Sequence, residues 1–170
     1  MNIKHTVIAA ALVATGMFAI NANALTASAS FQVKMTITKA CTVSAGSGSD
    51  ISLGSFASNS GSHSGSNSIN VTCSKTTPYF IGLAPSNAST TGAGVMSGTG
   101  SNTDQVPYQL YSNAGYSTVW GNTATTTTIG NGVAGAGSGL AQTISVYATA
   151  PSANFTPDSY ADTVTVTVNY

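Results

Sequence analysis

From Leu25 onward the chain alternates. Leu25, Ala27, Ala29, Phe31, Val33, Met35 and Ile37 hold the odd positions, with Thr26, Ser28, Ser30, Gln32, Lys34, Thr36 and Thr38 between them. A two-residue period gives an extended chain one apolar and one polar face, so the pattern predicts a strand. The 13 residues from Leu25 to Ile37, at about 3.3 Å each, would reach ~43 Å, more than twice the length of a usual strand. The same alternation returns at Val164, Val166, Val168 and Tyr170, with Thr165, Thr167 and Asn169 on the other face. Segments at the ends of domains are usually loose and polar. An over-long apolar-faced strand there needs a groove to lie in, either in its own domain or in a neighbour.

Short alternating runs separated by turn-rich stretches fill the rest of the chain, and no amphipathic helix is visible. The runs predict strands over Ser30–Thr38, Ile51–Ala57, Ser66–Ser74, Tyr79–Ala84, Val106–Tyr111, Ser117–Trp120, Thr125–Ile129, Ala141–Ala150 and Ala161–Tyr170. Between them, Ser44–Asp50, Ser58–Gly65, Asn87–Thr103 and Gly130–Gly139 are rich in Gly, Ser, Thr or Asn and read as loops. Many short strands joined by such loops describe an all-β sandwich.

Ahead of Leu25, Lys4 and His5 precede an apolar run from Val7 to Ile20, broken only by Thr15 and Gly16, and Ala22-Asn23-Ala24 follows as an A-x-A cleavage box. This is the grammar of an export signal over residues 1–24, and the run of about 14 apolar residues falls short of the ~20 needed to span a bilayer. Removing 24 of 170 residues leaves 146, the size of one domain with a real core, spanning 25–170. Charged residues are only 5% of the chain, with no Arg and no Glu. After cleavage, Lys34, Lys39 and Lys75 stand against Asp50, Asp104, Asp158 and Asp162, so 3 − 4 gives −1. No basic patch exists for nucleic acid. Weak self-repulsion suits a protein that packs against its own copies.

Cys41 and Cys73 are the only cysteines. In an exported chain such a pair is expected to be a disulfide. Closing a loop of 32 residues, it would stabilise the fold by about 4 kcal/mol in the chain-entropy model. A metal site is not expected, because His63 has no other His, Asp or Glu within ten residues. Gly130-Asn131-Gly132-Val133-Ala134-Gly135 matches G-x-G-x-x-G, but Ala136-Gly137-Ser138-Gly139 cannot open the helix that would hold a pyrophosphate. Gly61-Ser62-His63-Ser64-Gly65 has His63 where a nucleophile elbow needs Ser. Four scattered carboxylates offer no acid–base pair close in sequence, so neither catalysis nor a cofactor is expected. A secreted carbohydrate-binding sandwich is the alternative, with Trp120 and Tyr116 as stacking candidates.

The order of short motifs points to a family. Cys41-Thr42-Val43 is followed by Val71-Thr72-Cys73, Pro78-Tyr79 leading into Phe80-Ile81-Gly82-Leu83, Tyr108-Gln109-Leu110-Tyr111, and Val119-Trp120-Gly121. Ile144-Ser145-Val146-Tyr147 and a block from Tyr160 to Val168 complete the series. The mature chain resembles the spore coat protein U domain, and within it the shaft subunits of archaic, Csu-type chaperone–usher pili. It departs in the turn before the last strand, where Pro157-Asp158-Ser159-Tyr160 stands in place of a frequent Gly.

The resemblance implies an incomplete immunoglobulin-like β-sandwich that lacks its last strand and is completed by donor-strand complementation from the next subunit. It implies a donor strand within 25–37, whose boundary with the subunit's own first strand stays open between Ala29 and Val33, and a groove strand at Val164, Val166, Val168 and Tyr170. Ending inside an alternating strand is what a missing partner would look like. Its expected partners are other copies and related pilins, a periplasmic chaperone and an outer-membrane usher. Its expected location is the periplasm and then a surface fimbrium serving adhesion and biofilm formation. About five apolar donor side chains at ~1.5–3 kcal/mol each, less for alanines, would contribute roughly 5–12 kcal/mol, comparable to a whole domain's stability.

Overall fold

The computed structural model describes residues 25–170; the expected signal peptide, residues 1–24, lies outside the described residues. The chain divides into two units, Met1–Thr36 and Ile37–Tyr170. In the first, the described residues 25–36 form neither helix nor strand and are exposed throughout. Ser30–Thr38 is therefore not a strand here, because an alternating segment without a ladder partner has nowhere to put its backbone hydrogen bonds except water.

The second unit is an all-β sandwich in the immunoglobulin-like manner. Its strands are β1 (Cys41–Ser44), β2 (His63–Cys73), β3 (Pro78–Ala84), β4 (Ala93–Ser97), β5 (Gln105–Tyr111), β6 (Val133–Ala136), β7 (Ala141–Ala150) and β8 (Thr165–Asn169). One sheet runs β1-β2-β7-β5-β4 and the other β6-β3-β8, and all neighbouring strands are antiparallel. Alternation decides which face is inside. Ile69, Val71 and Cys73 of β2, Val106, Tyr108 and Leu110 of β5, and Val146, Ala148 and Ala150 of β7 are buried, while their odd-step neighbours stay half-buried or exposed. Facing them are Tyr79, Ile81 and Leu83 of β3, the central strand of the smaller sheet.

Trp120 joins the two layers. It is fully buried, its backbone N–H donates to Leu110 O at 3.0 Å in the larger sheet, and its indole Nε1 donates to Ile81 O at 2.9 Å in the smaller. Such burial with a satisfied N–H leaves no ring face for a sugar, so Trp120 is core and not the stacking platform that the alternative reading required.

Cys41 and Cys73 are disulfide-bonded and sit opposite each other in the β1–β2 register, with Cα atoms 4.1 Å apart. The β7 bounds are those the alternation predicts, and β2, β3 and β5 depart from theirs by a few residues at most. Ser117–Trp120 contributes only the single bridge Tyr111↔Val119. Thr125–Ile129 is a turn, because the Thr125 hydroxyl accepts from the N–H groups of Thr127 and Thr128, a local alternative to a ladder. The reverse also occurs. β4 and β6 lie inside stretches read as loops, and their ladders come entirely from β5 and β3.

Candidate functional site

The smaller sheet is too small for the larger one. Its longest strand, β3, has 7 residues, against 11 in β2 and 10 in β7. Where it gives out, the inward residues His63, Gly65 and Asn67 of β2 are only half-buried. Next to them a cavity of about 540 Å³ opens, floored by Ile69, Leu83, Tyr108, Leu110, Val146 and Ala148. One wall is the segment from Ala45 to Leu53 and the other runs from Tyr160 to Val166. A second hollow of about 470 Å³, lined by Ile51–Phe56, His63, Val106 and Phe155–Tyr160, shares Ile51, Leu53, Met96 and Tyr160 with the first. Together they form one long groove, apolar chiefly in the first hollow.

The first wall is held from below. Asn67 Nδ2 donates to Gly48 O at 3.1 Å and to Asp50 O at 2.8 Å. Beyond them the backbone passes directly over Gly65, where a Cβ would come within 2.6 Å of Ser52 O. Ile51 and Leu53 pack against the core from this wall, yet Ile51–Ala57 is not the predicted strand. Its alternation is real, but no strand lies beside it to supply a ladder. At the far end the Phe56 and His63 rings stack with centroids 3.4 Å apart, and Ser60 Oγ lies 2.9 Å from His63 Nε2. His63 thus closes a loop, and no group of three or more His, Cys, Asp or Glu among the described residues is placed to hold a metal.

The second wall is anchored to the opposite sheet edge. Ala161 exchanges both backbone hydrogen bonds with Ser97 at the end of β4, at 2.9 and 3.1 Å. Asp158 accepts from Thr99 N at 2.7 Å, from Asn102 Nδ2 at 2.8 Å and from the Thr99 hydroxyl. These donors favour the ionised carboxylate and hold its pKa far below the usual range. Asn102 also donates to Tyr160 OH at 2.9 Å, which in turn donates to Thr156 O at 2.7 Å. Inside the groove, Tyr108 OH donates to Asp162 Oδ2 at 2.6 Å. Burial, and then the Asp162 charge and hydrogen bond, push the Tyr108 phenol well above its ordinary pKa. The room for its ring comes from Gly94 on β4, where a Cβ would lie 2.2 Å from the Tyr108 ring.

β8 leaves this wall and pairs with β3 from Ala84↔Thr165 to Phe80↔Asn169. Among the described residues, no strand is hydrogen-bonded to its other edge. Val164, Val166 and Val168 face the core but remain only partly covered, and Tyr170 is 46% exposed. In the N-terminal segment, Leu25, Phe31, Val33, Met35 and Ile37 are 79–96% exposed, and Ala27 and Ala29 are exposed too. A folded protein rarely leaves so many large apolar groups in water on one alternating face. Tyr116, the other stacking candidate, packs edge-on against Tyr111 and Tyr147. The walls at Ile51–Leu53 and Tyr160–Asp162 line the groove, and in the sequence only the Ile51/Leu53 alternation signals the first of them.

The family model of the Spore Coat Protein U domain matches residues 27–167. No curated protein sequence matches the chain. Among solved structures, it is similar to a chain of the CsuC–CsuE chaperone–tip adhesion subunit pre-assembly complex, from the archaic chaperone–usher Csu pili of Acinetobacter baumannii. Identity is 21% and the TM-score 0.53, with 79% of this chain and 40% of that chain covered. A chaperone–tip adhesin complex of CFA/I fimbriae matches at 14% identity and a TM-score of 0.48, covering 76% of this chain and 41% of that one. The chain therefore spans about two fifths of the length of the solved chains it matches.

Proposed function

We propose that this chain, which belongs to the Spore Coat Protein U domain family, is an exported structural subunit of a chaperone–usher surface fibre and not an enzyme. Subunits join by donor-strand exchange: the alternating segment of one copy, within residues 25–37, fills the groove between Ala45–Leu53 and Tyr160–Val166 of the next. One observation carries the reading. The same chain holds an apolar groove beside an unpaired strand edge and, elsewhere, an exposed apolar-faced segment of matching period. Strand addition would extend the β6-β3-β8 sheet past β8 and cover Val164, Val166 and Val168. It would also give Ile51–Ala57 the neighbour its alternation lacks. Before assembly a periplasmic chaperone strand fills the groove, and an outer-membrane usher exchanges it for a subunit. The fibre serves adhesion and biofilm formation.

Deleting Leu25–Ser30 tests this. The acceptor groove is untouched, so the shortened subunit still folds with its chaperone but cannot donate, and it ends chains or is left out of them. Normal fibres formed by the shortened subunit alone would place the donor elsewhere.

A further inference from the structure

The charges of this chain are divided in a way that the apolar groove alone does not require. Residues 25–40 contain Lys34 and Lys39 and no acid, whereas residues 41–170 contain Lys75 against Asp50, Asp104, Asp158 and Asp162, so 1 − 4 gives −3. Three of those four residues border the groove. Asp50 stands on one wall of the main cavity, Asp162 on the other, and Asp158 borders its extension.

Resting on the donor-strand reading, we propose that the acidic charge around the groove selects the segment that enters, with Lys34 of a second copy meeting the exposed Asp50 on the groove wall. A strand that buries Phe31, Val33 and Met35 necessarily turns Gln32, Lys34 and Thr36 outward, so Lys34 sits over the middle of the apolar face it accompanies. Its four-carbon stem lets the ammonium lean to either wall while the stem covers apolar surface. Both walls are held in place beforehand. Asp162 accepts from Tyr108 OH at 2.6 Å and from Thr163 N at 2.8 Å, and the backbone of Asp50 is held by Asn67. A one-residue slip would turn Lys34 away from Asp50 and toward a floor that includes Ile69, Leu110 and Val146, so the lysine favours one register of the two. Rim charges of this kind act chiefly on the rate of capture and on register.

The test uses the full exported chain and follows the growth of detergent-resistant ladders after release from the chaperone. At low ionic strength, about 20 mM, Lys34→Asp and Asp50→Lys should each slow ladder growth by about tenfold, and Lys34→Asp/Asp50→Lys together should restore it to within about threefold. In about 0.5 M salt the four proteins should converge. Lys34 and Asp50 are both exposed, so equal melting temperatures will verify that the variants fold. Equal rates for all four at low salt, with ladders forming normally, would overturn the selection by charge while leaving strand exchange intact. Slowing by both single variants without recovery in the double would overturn the pairing with Asp50. Wild-type chains that form no detergent-resistant ladder would instead overturn strand exchange itself.

Discussion

Residues 25–37 and residues 164–170 carry the same alternation of apolar and polar side chains, yet they end in opposite states. β8 has β3 beside it, makes a ladder from Thr165 to Asn169 and turns Val164, Val166 and Val168 inward. The N-terminal segment has no ladder, and its apolar face stands in water. A period of two states that a segment fits a pleated, half-buried site; it does not say which chain supplies that site. The difference between the two regions is one of partner, not of propensity.

The sharpest way to break the comparison is to place a charge on each apolar face in turn. Val166→Asp buries a carboxylate against Leu83, its register partner, at a cost of several kcal/mol, and should abolish recovery of folded subunit. Phe31→Asp touches an exposed residue of the free chain, so folded, chaperone-bound subunit should persist while surface fibres are lost. Recovery of periplasmic subunit against surface fibre reads both, and loss of folded subunit in both variants would mean that Phe31 belongs to the domain's own core. Next in size is the Cys41–Cys73 bond. Replacing both by Ser should lower subunit stability by about 2–4 kcal/mol in a denaturant melt. An unchanged midpoint would mean that the β1–β2 ladder suffices.

Smaller effects follow from ionisation. Asp158 is held ionised in the folded state by Thr99 and Asn102, so its contribution is present above its unfolded pKa near 3.8 and is lost as pH falls below it. Asp158→Asn should flatten that acid limb. Tyr108 is shifted upward, so its contribution is full below the ordinary value of 10.0 and is lost as pH rises beyond it. Tyr108→Phe should reduce the alkaline loss. Smallest of all is Gln32→Asp, on the polar face, which should change fibre yield by the equivalent of no more than roughly half a kcal/mol. Equal yields from Gln32→Asp and Phe31→Asp would mean that no groove reads this segment's faces.

Much of the fold is legible because one face of each long strand is buried: β7, from Ala141 to Ala150, and β2 show their period plainly. β4 and β6 are not legible. Gly94 and Gly135 interrupt their apolar pattern, since each sits opposite a tyrosine, Tyr108 or Tyr79, whose ring takes the space a side chain would need. The opposite error arises at Ile51–Ala57, where the period is present and the partner is not. Of the groove, the inward valines of β8 could be read directly. The anchoring of Asp158 and Ala161 to Thr99, Asn102 and Ser97 joins residues about 60 apart in sequence, and nothing local announces it. Sequence alone favours core over platform for Trp120, and its N–H bonded to Ile81 O settles it.

The disulfide has a mechanical consequence. Tension on residues 25–40 reaches the sandwich at Cys41, the first residue of a strand only four residues long. Held by hydrogen bonds alone, so short an edge strand would have only a few bonds to bear the load. With Cys41 bonded to Cys73, the pull passes at its point of entry into β2, which lies between β1 and β7 in the larger sheet. β2 pairs with β7 over ten positions, from His63↔Ala150 to Thr72↔Ala141, so the load is shared with a long ladder and does not rest on the short strand alone.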